Sequence, residues 1–300
     1  MENLNTLPLT EALHQLLDQK LDCDVTFHIE GEDIQAHKFM LNFRCPGLYV
    51  MIHNELSYKD GKVIIDDPNV LPAEFRTFLE YLYTDTCRIT DANVKTLLHL
   101  GDMYDVPNLL EFCTEYLVRR FSAASIMNSA QLGILYSERC SLLAKCLQYI
   151  SNTSYLNRYS ASFHWKLASP ELVLKVAQEC KRWNGFTEDV LFKAIIEWAK
   201  QECIRNKLDV NATNMNTVLL QIIPHIKFHE LKPLTLATTV TEYKLLPDNK
   251  MLDCIRKAVI TEGKEVFIVP KRPYQVEIDD FVFDGEMDDF RMEAADDAWN

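Results

Sequence analysis

Glycine is scarce in this chain: eight residues in 300. That leaves no room for a propeller, whose repeats return at a fixed period with glycine at their turns. It also fits the lack of a glycine-rich phosphate loop, and neither a Gly-x-Ser-x-Gly elbow nor a His-Glu-x-x-His zinc helix occurs, so no enzyme class is indicated. No Cys-x-x-Cys pair is present. The nine cysteines are an odd number, scattered singly, and most sit beside apolar residues (Cys113, Cys146, Cys180, Cys203, Cys254). As packing groups they fit a reducing compartment, cytoplasmic with the nucleus open as a second location. No apolar run is long enough for a bilayer and Met1-Glu2-Asn3 is not a basic start, so neither a membrane span nor a signal peptide is expected. The sequons at Asn152 and Asn211 are then without meaning. Positive charge is also short, with 31 Lys and Arg against 44 Asp and Glu and a net charge of −13. Nucleic acid is a poor partner for such a chain, because phosphate binding is driven by clustered Lys and Arg.

What is present is pattern. In Asp24-Val25-Thr26-Phe27-His28-Ile29, Val25, Phe27 and Ile29 share one face and Thr26, His28 and Glu30 the other, the period of a half-buried strand. Glu30-Gly31-Glu32-Asp33 supplies a tight hairpin, and Ile34 and Ala36 restart the alternation before a helix runs on to Arg44-Cys45-Pro46. Ahead of the hairpin, Leu9, Leu13 and Leu16 fall at i, i+4 and i+7 on one face of a helix that has no obvious core of its own to join. Residues 54–61 read as a polar stretch and residues 62–66 as a third strand. Pro72 then opens a helix whose stripe is Phe75, Phe78, Leu79 and Leu82. A helical pair follows through Val94, Leu97, Leu98 and Gly101, then Leu110, Cys113, Tyr116 and Leu117.

From Ser122 to about Glu262 the pattern stays helical. Ser169-Pro170-Glu171 and Thr187-Glu188-Asp189 are helix starts, with Phe186 placed to staple onto Leu191. Residues 266–270 read as a short strand and Pro270-Lys271-Arg272-Pro273 as a breaker. Residues 274–300 hold ten acids against Arg291 alone, interleaved with Phe281, Phe283, Phe290 and Trp299, a composition that resists packing by itself.

The strand, hairpin, strand and helix of residues 24–46, the proline-led helix ending in Leu82-Tyr83-Thr84, and the helical pair around Asp102-x-Tyr104 together resemble a BTB/POZ domain. The departures are Cys45 where the family has serine and Leu48 where it has an aromatic residue. The helical stretch resembles a BACK domain, which follows BTB in kelch-like proteins. The resemblance implies an α+β BTB/POZ domain over residues 1–121, a small sheet flanked by helical hairpins. An all-α BACK domain over residues 122–262 and an acidic, partly disordered tail over 263–300 would follow. No kelch repeats follow. It further implies a homodimer whose seam uses Leu9, Leu13, Leu16 and Met40, supported by an Asp24 and Arg44 pair. The bland alternative for the first helix is packing within the chain. Its implied function is a non-enzymatic adaptor, without cofactor, recruiting an unknown protein substrate to a cullin-3 RING ubiquitin ligase. The cullin contact would use the helix from Leu48 to Ile52 and the loop after it. There the apolar position of a hydrophobic-x-Glu motif is Leu56, and the glutamate is replaced by Tyr58. The alternative is a dimeric scaffold or corepressor platform that does not bind cullin.

Three other constellations stand apart from the resemblance. His225 and His229 lie four apart, a spacing able to ligate zinc on a helix, but without a Cys or acid pair nearby, and ordinary helix surface is the plainer reading. Cys45 beside Arg44 has a neighbouring cation that favours thiolate, against the plainer reading of a small buried hydrophobe. His37, opening a helix after a strand, suits a structural hydrogen bond better than catalysis.

Overall fold

The structure, a computed structural model, describes residues 7–153, 155–160 and 162–265. The expected strand at 266–270 and the acidic segment at 274–300 lie outside the described residues. Residues through Val259 form one compact unit.

The unit opens with helix α1 (Leu9–Asp18), followed by strands β1 (Val25–Ile29) and β2 (Glu32–Ala36). Val25, Phe27 and Ile29 are buried, as their alternation requires. The hairpin turns through Glu30 at φ 45° and Gly31 at φ 85°, two consecutive left-handed residues whose twist matches that of the paired strands. Helices α2 (Lys38–Arg44) and α3 (Pro46–His53) cross over, and a 3₁₀ turn (Glu55–Ser57) leads into β3 (Tyr58–Lys59) and β4 (Lys62–Ile64). The sheet order is β2-β1-β4-β3, with β4 parallel to β1 and the other pairs antiparallel. The polar stretch expected at 54–61 therefore holds an edge strand. Its hairpin turns on Asp60 (φ 53°) and Gly61 (φ 76°), the same device as the first.

Helix α4 (Pro72–Thr84) lies against the sheet with Phe75 and Phe78 fully buried, each contributing about 1.5–3 kcal/mol. Phe27 meets Phe75 edge-on at 5.1 Å, and Phe78 stacks on Tyr104 at 5.7 Å. The helix stops at Asp85, a left-handed residue at φ 60°. Next come α5 (Val94–Met103) and α6 (Pro107–Val118). Gly47 is needed where α3 meets the end of α5, since a Cβ there would stand 2.6 Å from the Tyr104 Cα.

A helical region follows: α7 (Ile126–Leu135), α8 (Leu142–Asn152), α9 (Tyr155–Tyr159), α10 (Phe163–Lys166), α11 (Pro170–Glu179), α12 (Glu188–Arg205), α13 (Ala212–Leu219), α14 (Pro233–Thr235) continuing as a π turn, and α15 (Asp248–Glu265). The expected caps are made: Ser169 Oγ accepts the Leu172 N–H at 3.2 Å, and Thr187 Oγ1 accepts that of Val190 at 3.4 Å. Phe186 and Leu191 are both fully buried. Polar ties fix this region to the first part of the chain. The Arg139 guanidinium reaches Asp102 at 3.3 Å and Asp105 at 2.5 Å, and Glu111 accepts from the Ser141 N–H and hydroxyl at 2.8 and 2.9 Å.

Candidate protein-interaction surfaces

The first surface lies where α3 hands over to the sheet edge. Its α3 part is not the one expected. Leu48 and Ile52 are buried in the core, because α3 packs on α2 and abuts Tyr104 at the end of α5, so that this face points inward. The side chains α3 turns to solvent are Tyr49, Val50 and His53. The His53 Nδ1–H donates to the Tyr49 carbonyl at 2.8 Å, and the two rings lie 4.4 Å apart. Beyond α3, the Asn54 Oδ1 accepts the Leu56 N–H at 3.1 Å and the Ser57 N–H bonds back to the Asn54 carbonyl at 2.9 Å. That closed turn holds Leu56 93% exposed. An isolated exposed leucine is ordinary; this one is fixed on a capped turn that follows directly on α3, whose Tyr49 and Val50 are also exposed, and that makes it a candidate anchor. Tyr58, two residues on, is half-buried and packs against the core.

The second surface is carried by α1 and α2. Helix α1 packs on α4, yet none of its residues is buried. Leu13 and Leu17 rest against the core, Leu16 is half-buried and Leu9 is 74% exposed. Helix α2 buries Leu41 alone; Met40 is half-buried, while Phe39 and Phe43 stand in solvent.

The expected Asp24 and Arg44 pair does not form within the chain. Asp24 Oδ1 accepts the Lys38 N–H at 2.7 Å at the start of α2. Arg44 points instead to the far end of α4, donating to the Leu82 carbonyl at 3.1 Å and pairing with Asp85. Each charge finds a nearer partner than the other, so both serve to anchor α2 at its two ends.

His37 makes the structural bonds expected of it. A carbonyl can only accept, so Nε2 donates to Leu21 O at 2.6 Å, and Nδ1 accepts from the Tyr83 hydroxyl at 2.7 Å. The Tyr83 oxygen in turn accepts the His37 backbone N–H at 2.9 Å, and burial keeps that phenol protonated by raising its pKa. Cys45 is fully buried, and desolvation pushes its thiol up to about 11, so the neighbouring Arg44 does not make it a thiolate. His225 and His229 fall on two separate 3₁₀ turns, not on one helix face, and His225 meets the Gln178 amide at 3.1 Å. Among the described residues no group of three or more His, Cys, Asp or Glu is arranged to hold a metal ion, and no helix is long and apolar enough to cross a membrane.

A family model described as BTB/POZ domain matches residues 13–120, the span that contains the sheet, α4, α5 and α6. The chain carries a BTB/POZ domain. Over 215 residues it is 27% identical to BTB/POZ domain-containing protein 6 of Xenopus laevis, covering 70% of this chain and 39% of that protein. Kelch-like protein 41 of Homo sapiens is 23% identical over 194 residues, 65% of this chain and 31% of that one. Kelch-like protein 40 of Xenopus tropicalis is 24% identical over 195 residues, again 65% and 31%. The matched span is thus less than half the length of these relatives. It runs past the BTB/POZ domain into the helical region, consistent with the single compact unit.

Both surfaces belong to the BTB/POZ domain, and sequence reasoning missed part of each. Tyr49 and Val50 were hidden because α3 is apolar on nearly every side, which leaves periodicity nothing to sort. Phe39 and Phe43 were hidden in the same way in Lys38-Phe39-Met40-Leu41-Asn42-Phe43-Arg44. The i, i+4 spacing of the two rings was the one available signal.

Proposed function

We propose that this chain is a dimeric protein-interaction adaptor that recruits substrates to a cullin-3 RING ubiquitin ligase. The observation that carries the reading is Leu56, held 93% exposed on a capped turn between α3 and the sheet edge. The BTB adaptors that this chain resembles seat an apolar side chain of this loop in a pocket on the cullin. A single apolar anchor with excluded water supplies much of the energy of such a contact, and a rim charge supplies less. In this reading Tyr49 and Val50 widen the contact and the helical region is a BACK domain presenting the target. The protein works in the cytoplasm or nucleus, and no residue performs chemistry.

A second reading has its own support. Tyr58 packs against the core in the position where the motif glutamate is expected, so no carboxylate stands there for a partner. That favours a dimeric scaffold that does not bind cullin. Calorimetry of the purified chain with the cullin-3 N-terminal domain separates the two. The adaptor reading expects submicromolar binding at one cullin per subunit, abolished by Leu56→Asp in a protein of unchanged mass and melting temperature. A folded dimer that releases no heat against cullin leaves the scaffold.

A further inference from the structure

We infer that Ser122 is a phosphorylation site for a basophilic serine kinase, placed at the joint between α6 and α7. Arg119-Arg120-Phe121-Ser122 holds the chain's only adjacent arginines, and Ser122 is its only serine or threonine with arginine both two and three residues before it. Kinases of that class read a substrate by charge pattern: carboxylates in their cleft take the guanidinium groups at those two positions in charge-assisted hydrogen bonds. The side chains this requires are on the surface. Ser122 is exposed, and Arg119 and Arg120 are 78% and 54% exposed. Arg119 meets Glu115, and Arg120 meets Asp91, each at 3.7 Å, long pairs in water that contribute little. Arg120 also lies over the Tyr116 ring at 4.0 Å. A kinase carboxylate can therefore draw both guanidiniums away at small cost.

The serine is held by a small set of contacts. Its Oγ accepts the Ser125 N–H at 3.2 Å, and the Ser125 Oγ accepts the Ser122 N–H at 3.0 Å. Ser125 donates its own hydroxyl proton to the Arg120 carbonyl at 2.9 Å, so the Ser122 proton points at the Ser125 Oγ, 3.0 Å away. Phe121 meets the Tyr149 ring edge-on at 5.5 Å. Drawing residues 119–123 into an extended, kinase-bound form breaks these contacts and leaves the buried faces of α6 and α7 in place. In the transfer a bond forms between the Ser122 Oγ and the γ-phosphorus of ATP as the bond from that phosphorus to the bridging oxygen breaks. ADP leaves, and the hydroxyl proton passes to the kinase's catalytic carboxylate. The product carries about −1.5 to −2 charges beside Arg119 and Arg120 and at the start of α7, where negative charge is favoured. The two arginines then exchange distant carboxylates for a near phosphate, and the joint between the BTB/POZ domain and the helical region stiffens.

The test treats the whole chain with the catalytic subunit of cyclic-AMP-dependent protein kinase and magnesium ATP, followed by intact mass, peptide mapping and amide hydrogen exchange. The expected result is one phosphoryl group, mapped to Ser122. Ser122→Asn, which keeps a side chain able to cap the turn but has no acceptor hydroxyl, should take none there. Arg119→Gln with Arg120→Gln should take it at least ~10-fold more slowly. In the phosphorylated chain the amides of residues 119–129 should exchange several-fold more slowly than in the unmodified one. Phosphate found elsewhere with Ser122 untouched, or an unchanged rate in the double arginine variant, overturns the site. So does a folded chain left unmodified, whether or not a free peptide of residues 115–128 is phosphorylated alongside it. Unchanged or faster exchange after modification overturns the stiffening and leaves the site standing.

Discussion

Arg182 and Glu188 form the most demanding ion pair in the helical region, and breaking it from one side gives a sharp prediction. Glu188 is fully buried and Arg182 only 13% exposed, with Nε to Oε2 at 2.8 Å. The other carboxylate oxygen accepts the Lys227 N–H at 2.9 Å. Arg182 also donates to the carbonyls of Cys180 and Ala177, satisfying the end of α11, the second at 2.8 Å. Three acceptors of this cluster, Glu188 Oε2 and the Cys180 and Ala177 carbonyls, depend on the guanidinium. In Arg182→Ala the carboxylate is left buried and charged beside one amide, and removal of one member of such a pair costs about 3–5 kcal/mol. For a cooperative unit of this size 1 kcal/mol moves the melting temperature by about 2–4 °C, so the loss should be roughly 6–20 °C by scanning calorimetry. Arg182→Lys should recover only part, because an ammonium cannot match the planar fork that spans the carboxylate and both carbonyls. A loss below about 2 °C in Arg182→Ala would show that water reaches Glu188 and that the pair is not the sealed one described.

Two further outcomes follow from other sites. Gly133→Ala should destabilise the chain by about 1–3 kcal/mol in urea titration, because its Cβ would stand 2.8 Å from the Leu143 Cα where α7 and α8 cross; a neutral result would mean the helices separate freely. The Asp67 carboxyl is held below its ordinary value chiefly by the bond from His99 Nε2 at 2.6 Å, helped by the Asn69 amide. Its contribution is therefore full above the ordinary carboxylate pKa of about 4 and fades as pH falls through the lower folded value. The stability gap between wild type and Asp67→Asn should stay constant above about pH 5 and close below about pH 4. A gap independent of pH down to acid unfolding would remove Asp67 from the account.

Legibility tracked how much each residue's role depended on its neighbours in sequence. The first hairpin, α4 with its proline start, and the Ser169 and Thr187 caps depend on contacts within a few residues, and all were readable. Edge strand β3 leaves no alternation to read because it has two residues, although Asp60-Gly61 is a hairpin signal. The sequence suggests Asp24 as the acid for Arg44, but the acid is Asp85, 41 residues on, placed there by the left-handed end of α4. Which side of α2 and α3 faces water is set by their packing on each other and on α4, and no local pattern records it.

The salt links of Arg139 and the cap that Glu111 places on α8 have a practical consequence for anyone dissecting this molecule. A fragment cut after Phe121 would carry Asp102, Asp105 and Glu111 as three orphaned acids on a newly bared wall formed by α5, α6 and the turn between them. Its solubility and self-association would report the wound and not the domain. In the whole chain the same links turn the helical region into a strut. On the adaptor reading proposed above, a target seated on that region would be carried at a fixed distance from the Leu56 turn, and reach, more than recognition, would decide which of its lysines a tethered ligase could touch.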